Sequence, residues 1–221
     1  MAACIMQEHG ARILIVILTG DFYCSVKFAT DPLGMMTQCL KWKNVLRPPQ
    51  GFHMNLLLKI NTKMGGTNHT LASRLAPEDA LAAAPSTFQQ PPASLSWVFD
   101  KPCMLVGVDT SHPEPGSDRM SVAAVVGSIN GQASQYVAHM SAQAPRVEMV
   151  EALTEAMFGL LKTFKNKNQG RLPKHIIVYR DGVGDGQFER VLKNELPCIR
   201  QALAEHGDLD CKIAFVVCQK R

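Results

Sequence analysis

Residues 175–190 read HIIVYRDGVGDGQFER, and the order of residue types in this stretch sets the fold. Ile176, Ile177, Val178 and Tyr179 form an apolar run rich in β-branched and aromatic residues, the pattern of a buried strand. The run stops on Arg180 and Asp181, and Gly182, Gly184 and Gly186 follow at once. A helical pattern then extends over 186–206. A strand that ends on a carboxylate, turns on glycine and enters a helix is a unit of a largely parallel α/β sheet, whose sites lie at the C-terminal ends of strands.

Upstream, 104–110 (MLVGVDT), 121–129 and 135–143 have strand character, with Asn130-Gly131 as a hairpin-turn signal between the last two. A long amphipathic helix is expected over 146–165 and a last strand over 211–218. The order β-β-β-α-β-α-β is that of ribonuclease-H-like folds. The first third alternates differently: a strand at 12–18, a helix over 22–33 stopped by Gly34, a strand at 35–41, and a helix over 50–64 capped by Gly65-Gly66. That is a small α/β layer of its own. Between the two regions, 68–93 is rich in Ala, Pro, Ser and Gln without a sustained period, as a linker or solvated insertion would be.

Composition narrows the class. An apolar content of 46% and a charged content of 19% are ordinary for a globular chain. No apolar run approaches the roughly 18 residues of a membrane span, and 13–18 is too short for a signal-peptide core. Seven cysteines without a C-x-x-C pair argue against a disulfide framework or structural zinc, and for reduced thiols inside a cell. Residues 1–70 carry seven Lys and Arg against three acids, so the whole formal excess of +4 lies there. A polyanion partner accounts for that bias; a merely soluble basic surface accounts for it equally.

Two constellations carry chemistry. Asp109 and Asp181 each end a strand, and parallel strands would bring them together. Glu148 is expected in the first turn of the long helix, with Glu151 and Glu155 along the same face. Gathered carboxylates repel and are usually present to hold a divalent cation; hard oxygen ligands suit Mg²⁺ or Mn²⁺, and paired ions serve phosphodiester hydrolysis. An Asp at a strand end also serves as a turn or cap residue, and Glu148 also suits a helix dipole, so spacing leaves both readings open. The glycine run, G-x-G-x-G, departs from the dinucleotide fingerprint. In the first third, Lys59 and Lys63 are four apart on one helix, a like-charge pair costing about 0.2–0.5 kcal/mol without an anion between them. Tyr23 and Lys27 repeat the spacing just after a strand-to-helix turn, where phosphates bind. A cation favouring the last helical turn is the other reading of Lys63.

VYRDGVGDGQF, VGVDTSHPEPGS, SVAAVVGSIN, TFQQP, FVVCQKR, GMMTQCLKWKNV and LLLKINTKMGG together resemble eukaryotic Argonaute proteins, across the end of the MID domain and the front half of the Piwi domain. The resemblance implies an α/β fold with a Rossmann-like MID portion at 1–67, a linker or insertion at 68–97, and an incomplete ribonuclease-H-like Piwi domain at 98–221. It gives Asp109, Glu148 and Asp181 the catalytic, Mg²⁺- or Mn²⁺-holding roles, Glu148 entering from a mobile segment. It gives Tyr23, Lys27, Gln38, Lys59 and Lys63 the guide's 5′ phosphate, with the tyrosine stacked on the first base. The implied partners are a small guide RNA, its complementary target RNA and silencing proteins, without a membrane, in the cytoplasm or also the nucleus. The family's fourth catalytic residue lies beyond the segment matched by QKR, and the N-terminal and PAZ regions have no counterpart. The expectation is therefore a fragment whose parent cleaves RNA but which is catalytically incomplete itself; the alternative is a non-cleaving guide-binding module. LTGDFY looks shorter than the family's base-reading loop, which leaves the 5′ base preference open.

Overall fold

The computed structural model describes residues 10–69, 101–131 and 133–219. The expected linker at 68–97 falls outside them except for Asn68 and His69. The chain divides into two compact units, Met1–Asn68 and His69–Arg221.

In the first unit, β1 (Leu14–Leu18) runs parallel to β2 (Thr37–Lys41), with Leu14 opposite Thr37 and Leu18 opposite Lys41. The connection is α1 (Tyr23–Thr30), shorter than its apolar pattern suggests. Pro32 in the following 3-10 turn, Asp31–Leu33, lacks the N–H that would continue the helix, and Gly34 closes it at φ 65°. A short α2 (Trp42–Leu46) leaves β2 directly; it is too brief to show a period in the sequence. Next comes α3 (Phe52–Lys63), entered through Gly51 at φ 75°. Asn68 closes its far end, its amide donating to the Leu58 carbonyl at 2.8 Å and to Thr62 Oγ1 at 2.6 Å.

The second unit is a five-stranded sheet in the order β5-β4-β3-β6-β7, built from β3 (Cys103–Ser111), β4 (Ser121–Ser128), β5 (Tyr136–Gln143), β6 (His175–Asp181) and β7 (Lys212–Cys218). The β3–β4 and β4–β5 pairs are antiparallel, and β3–β6 and β6–β7 parallel. Strand residues alternate between faces, so Met104, Val106, Val108, Ile176 and Val178 all point to one side. There they meet α4 (Leu153–Lys167) and α5 (Phe188–Glu205) in a core completed by Met157, Leu160, Leu161, Phe164, Ile199 and Leu203. Fully burying one such side chain contributes about 1.5–3 kcal/mol. Helix α4 comes so close over β4 that a Cβ on Gly127 would stand 2.6 Å from Met104 Cε and 3.1 Å from Leu160 Cδ1. The sheet and both helices thus fix the two strand ends, β3 and β6, on which the carboxylates stand.

Candidate functional site

Strands β3 and β6 pair Val108 with Arg180, so the next residues, Asp109 and Asp181, stand side by side at the strands' C-terminal ends. Neighbouring strands are about 4.8 Å apart, and residues in register across a parallel pair point the same way. Val108 and Arg180 enter the core, which turns both aspartates to the more exposed face. The Thr110 N–H donates to Asp109 Oδ1 at 2.9 Å, and the Gly182 N–H to Asp181 Oδ1 at 2.8 Å. Gly182 turns at φ 80°, in the left-handed region that favours glycine. A Cβ there would lie 3.7 Å from Asp109 Oδ1 and 4.0 Å from Glu148 Oε2, so Asp109 and Glu148 converge beside Asp181.

Glu148 reaches this point from a loop, which corrects the expected helix. Residues 144–152 are irregular, and α4 begins only at Leu153; Glu151 lies outside the helix and Glu155 in its first turn. Side chains satisfy the loop's backbone groups in place of a helical ladder. Gln143 donates its amide to the carbonyls of Val147 at 2.5 Å and Met149 at 3.1 Å, and Glu195 Oε1 accepts from the Val150 N–H at 3.3 Å. Arg146, at φ 62°, breaks the helical path at its start and donates its N–H to Ser121 Oγ at 3.0 Å.

The fully buried Arg180 ties these parts together. Its Nε donates to both oxygens of Glu195, at 3.2 and 3.0 Å, its Nη1 to the Asp181 carbonyl at 2.5 Å, and its Nη2 to the Glu148 carbonyl. One guanidinium therefore joins the end of β6, the Glu148 loop and α5. At the side-chain end, His112 Nε2 lies 2.9 Å from Glu148 Oε1 while its Nδ1 lies 2.8 Å from Ser121 Oγ. The Ser121 hydroxyl already accepts from Arg146, so its proton is available to His112 Nδ1, an order that suits the Nε2–H tautomer.

The sequence reading missed Arg180, Glu195, Gln143 and His112 as parts of the site. A signal existed for the ion pair: Arg180 occupies an inward position of an apolar strand, and Glu195 falls on the stripe Val191, Ile199, Ala202 of α5. Two opposite charges on two buried faces require each other. As a donor set, three carboxylates fit a hard divalent cation. In the side-chain positions described, no three His, Cys, Asp or Glu groups among the described residues form a closed cation set.

The first unit gathers cations. Lys63 Nζ donates to the Thr37 carbonyl at 2.6 Å and to Gln38 Oε1 at 2.9 Å, and Lys27 Nζ to Thr37 Oγ1 at 2.8 Å. Lys27 also meets Asp31 at 3.3 Å. Burial lowers the pKa of Lys63, and Lys27 and then Lys59 lower it further, while Cys39 and Asp31 oppose them. Lys27, Gln38 and Lys63 are thus brought together, with Lys59 within electrostatic reach. Tyr23, half exposed, lines an adjoining cleft of about 670 Å³ with Thr19, Asp21, Cys39, Lys41, Trp42 and Lys43. Lys27 lies in the last turn of the eight-residue α1, so it joins this cluster through its side chain and not at a helix N-terminus.

A family model described as the Piwi domain matches residues 13–221. The chain belongs to the Piwi domain family. Solved structures similar to this Piwi chain include Kluyveromyces polysporus Argonaute with a guide RNA, at 23% identity and a TM-score of 0.78 over 100% of the chain. The MID-PIWI domains of the N. crassa QDE-2 Argonaute are similar at 25% identity and a TM-score of 0.74 over 97%. Drosophila Piwi is similar at 18% and 0.68 over 98%. This Piwi chain spans 24%, 58% and 27% of those three chains. The α/β architecture, with its ribonuclease-H-like sheet, is therefore that of Argonaute MID-PIWI lobes.

Proposed function

We propose that this chain anchors the 5′ end of a small guide RNA in its first unit and contributes the carboxylates of a phosphodiester-cleaving centre from its second. The observation that carries the anchoring is the convergence of Lys27 and Lys63 on Thr37 and Gln38, with Lys59 nearby. Burial, first, and the neighbouring Lys27 ammonium, second, disfavour the charged form of Lys63 and lower its pKa, only partly opposed by Asp31, and an anion bound among the lysines offsets that cost. A terminal phosphate supplies the anion, and the amide of Gln38 orients it. The similarity to an Argonaute solved with a guide RNA supports this reading.

In the second unit, Asp109, Asp181 and Glu148 would hold Mg²⁺ or Mn²⁺. Bound there, such ions activate water and stabilise the leaving oxygen of a phosphodiester in RNA paired to the guide. The chain's own part is placement. The strand register fixes the two aspartates, Arg180 and Gln143 fix the backbone beneath Glu148, and His112 aims its carboxylate. Side chains so supported keep a site geometry that loop residues alone would not.

The experiment compares binding of short single-stranded RNAs that differ only in a 5′ phosphate, for the wild-type chain and for Lys59→Ala with Lys63→Ala. Tighter binding of the phosphorylated RNA, lost in the double variant, is the expected result. Equal binding of both RNAs by the wild type would overturn the proposal.

A further inference from the structure

The cleft beside the cation cluster has a second aromatic wall. Trp42 begins α2 between Lys41 and Lys43 and lines the same cleft as Tyr23; the two rings are 45% and 51% exposed. Helix α2 contributes no buried residue, so core packing does not account for an indole at this position. The cleft adjoins the ammonium groups: Cys39 lines it and acts electrostatically on Lys63, and Tyr23 stands one helical turn before Lys27. Asp21, Lys41 and Lys43 also line the cleft, so two cations against one carboxylate stand beside its two aromatic rings. Phosphate at the lysines and a planar base between aromatic rings is the division these residues favour.

We propose that Trp42 stacks on a base at the 5′ end of the bound RNA, with Lys41 and Lys43 pairing to the phosphates that follow. The inference rests on the guide-anchoring reading and adds to it a residue outside the phosphate-binding set. Every nucleobase has a π face, so such a contact adds affinity with little sequence preference, and its flanking cations follow the backbone.

The test measures affinity of 5′-phosphorylated single-stranded RNA for the full chain, Trp42→Ala and Trp42→Phe. Each is also tested on the same RNA with an abasic nucleotide at position 1 or at position 2. Stacking on a base predicts a loss of roughly 5- to 100-fold for Trp42→Ala on intact RNA, with most of the affinity kept by Trp42→Phe. On RNA abasic at the stacked position, the two chains should agree to within about twofold. A Trp42→Ala loss of equal size on intact and both abasic RNAs, or no loss at all, overturns the inference. Wild-type binding that ignores the 5′ phosphate fails differently, by overturning the anchoring reading and this inference with it. Thermal unfolding of the variants separates a lost contact from a lost fold; if Trp42→Ala unfolds, Trp42→Leu carries the test, a loss on intact RNA being expected and unchanged affinity overturning the inference.

Discussion

Lys63 holds its charge against its surroundings. Its pKa lies below the usual 10.5 because burial, first, and Lys27, second, disfavour the ammonium form. Between that lowered value and 10.5 the unfolded chain binds more protons than the folded one, so this group makes stability rise with pH across that window. A bound phosphate acts in the opposite direction by favouring the ammonium. Affinity for 5′-phosphorylated RNA is therefore expected to decline as pH rises through the lowered pKa. The Lys63→Arg variant should hold its affinity to higher pH, because guanidinium stays charged. Parallel curves for the two chains would show that another group governs the loss. Asp109 and Asp181 pose the reverse problem, two like charges on neighbouring strand ends. In chelator, Asp109→Asn should stabilise the chain by about 0.2–1 kcal/mol, the scale of a cross-strand pair. Manganese should raise the unfolding temperature of the wild type and leave that of the variant unmoved. A variant that still gains stability from manganese would place the cation elsewhere.

Among the elements, β6 and α5 are joined by the Arg180–Glu195 pair, whose side chains are 0% and 2% exposed. Removing one partner of such a pair leaves a buried charge uncompensated. Glu195→Ala is accordingly expected to cost about 3–5 kcal/mol in urea unfolding. The exposed pair Lys193–Glu189 on the same helix gives the control, since Glu189→Ala should change stability by no more than about 0.5 kcal/mol. A small loss for Glu195→Ala would mean that water reaches Arg180. Most elements were legible because their apolar residues repeat at a period of two or 3.6. The exceptions have physical causes. Helix α2 is a single turn, and α1 stops early at the turn containing Pro32. The Glu148 loop looked helical because its apolar and acidic residues fall at helical spacing. Gln143, just before the loop, and Arg180 and Glu195, distant in sequence, bond its backbone instead, and no helical or strand period reports that.

Across the whole molecule, the excess positive charge and the cation cluster both fall in the first unit, while the convergent carboxylates fall in the second. That division was legible, since charge is counted directly and Asp181 ends its strand as expected, although β3 runs two residues past Asp109, to Ser111. The meeting of Asp109 with Asp181 was legible as an expectation from parallel pairing; the register that sets Val108 against Arg180 makes it specific. The cleft with Tyr23 and Trp42 was legible only in part. Tyr23 follows a strand-to-helix turn, whereas Trp42 stands among cations with nothing in its spacing to link it to Tyr23. Exposure supplied the link, and exposure is a property of the fold.

The buried guanidinium has a consequence for biosynthesis. Asp109, Glu148 and Asp181 all leave the ribosome before Glu195 does, because they precede it in the chain. Until α5 emerges, Arg180 has no carboxylate to enter the core with and stays hydrated, so the Glu148 carbonyl lacks its clamp. The acidic centre is therefore clamped only after α5 has been made, later than the strands that carry its aspartates.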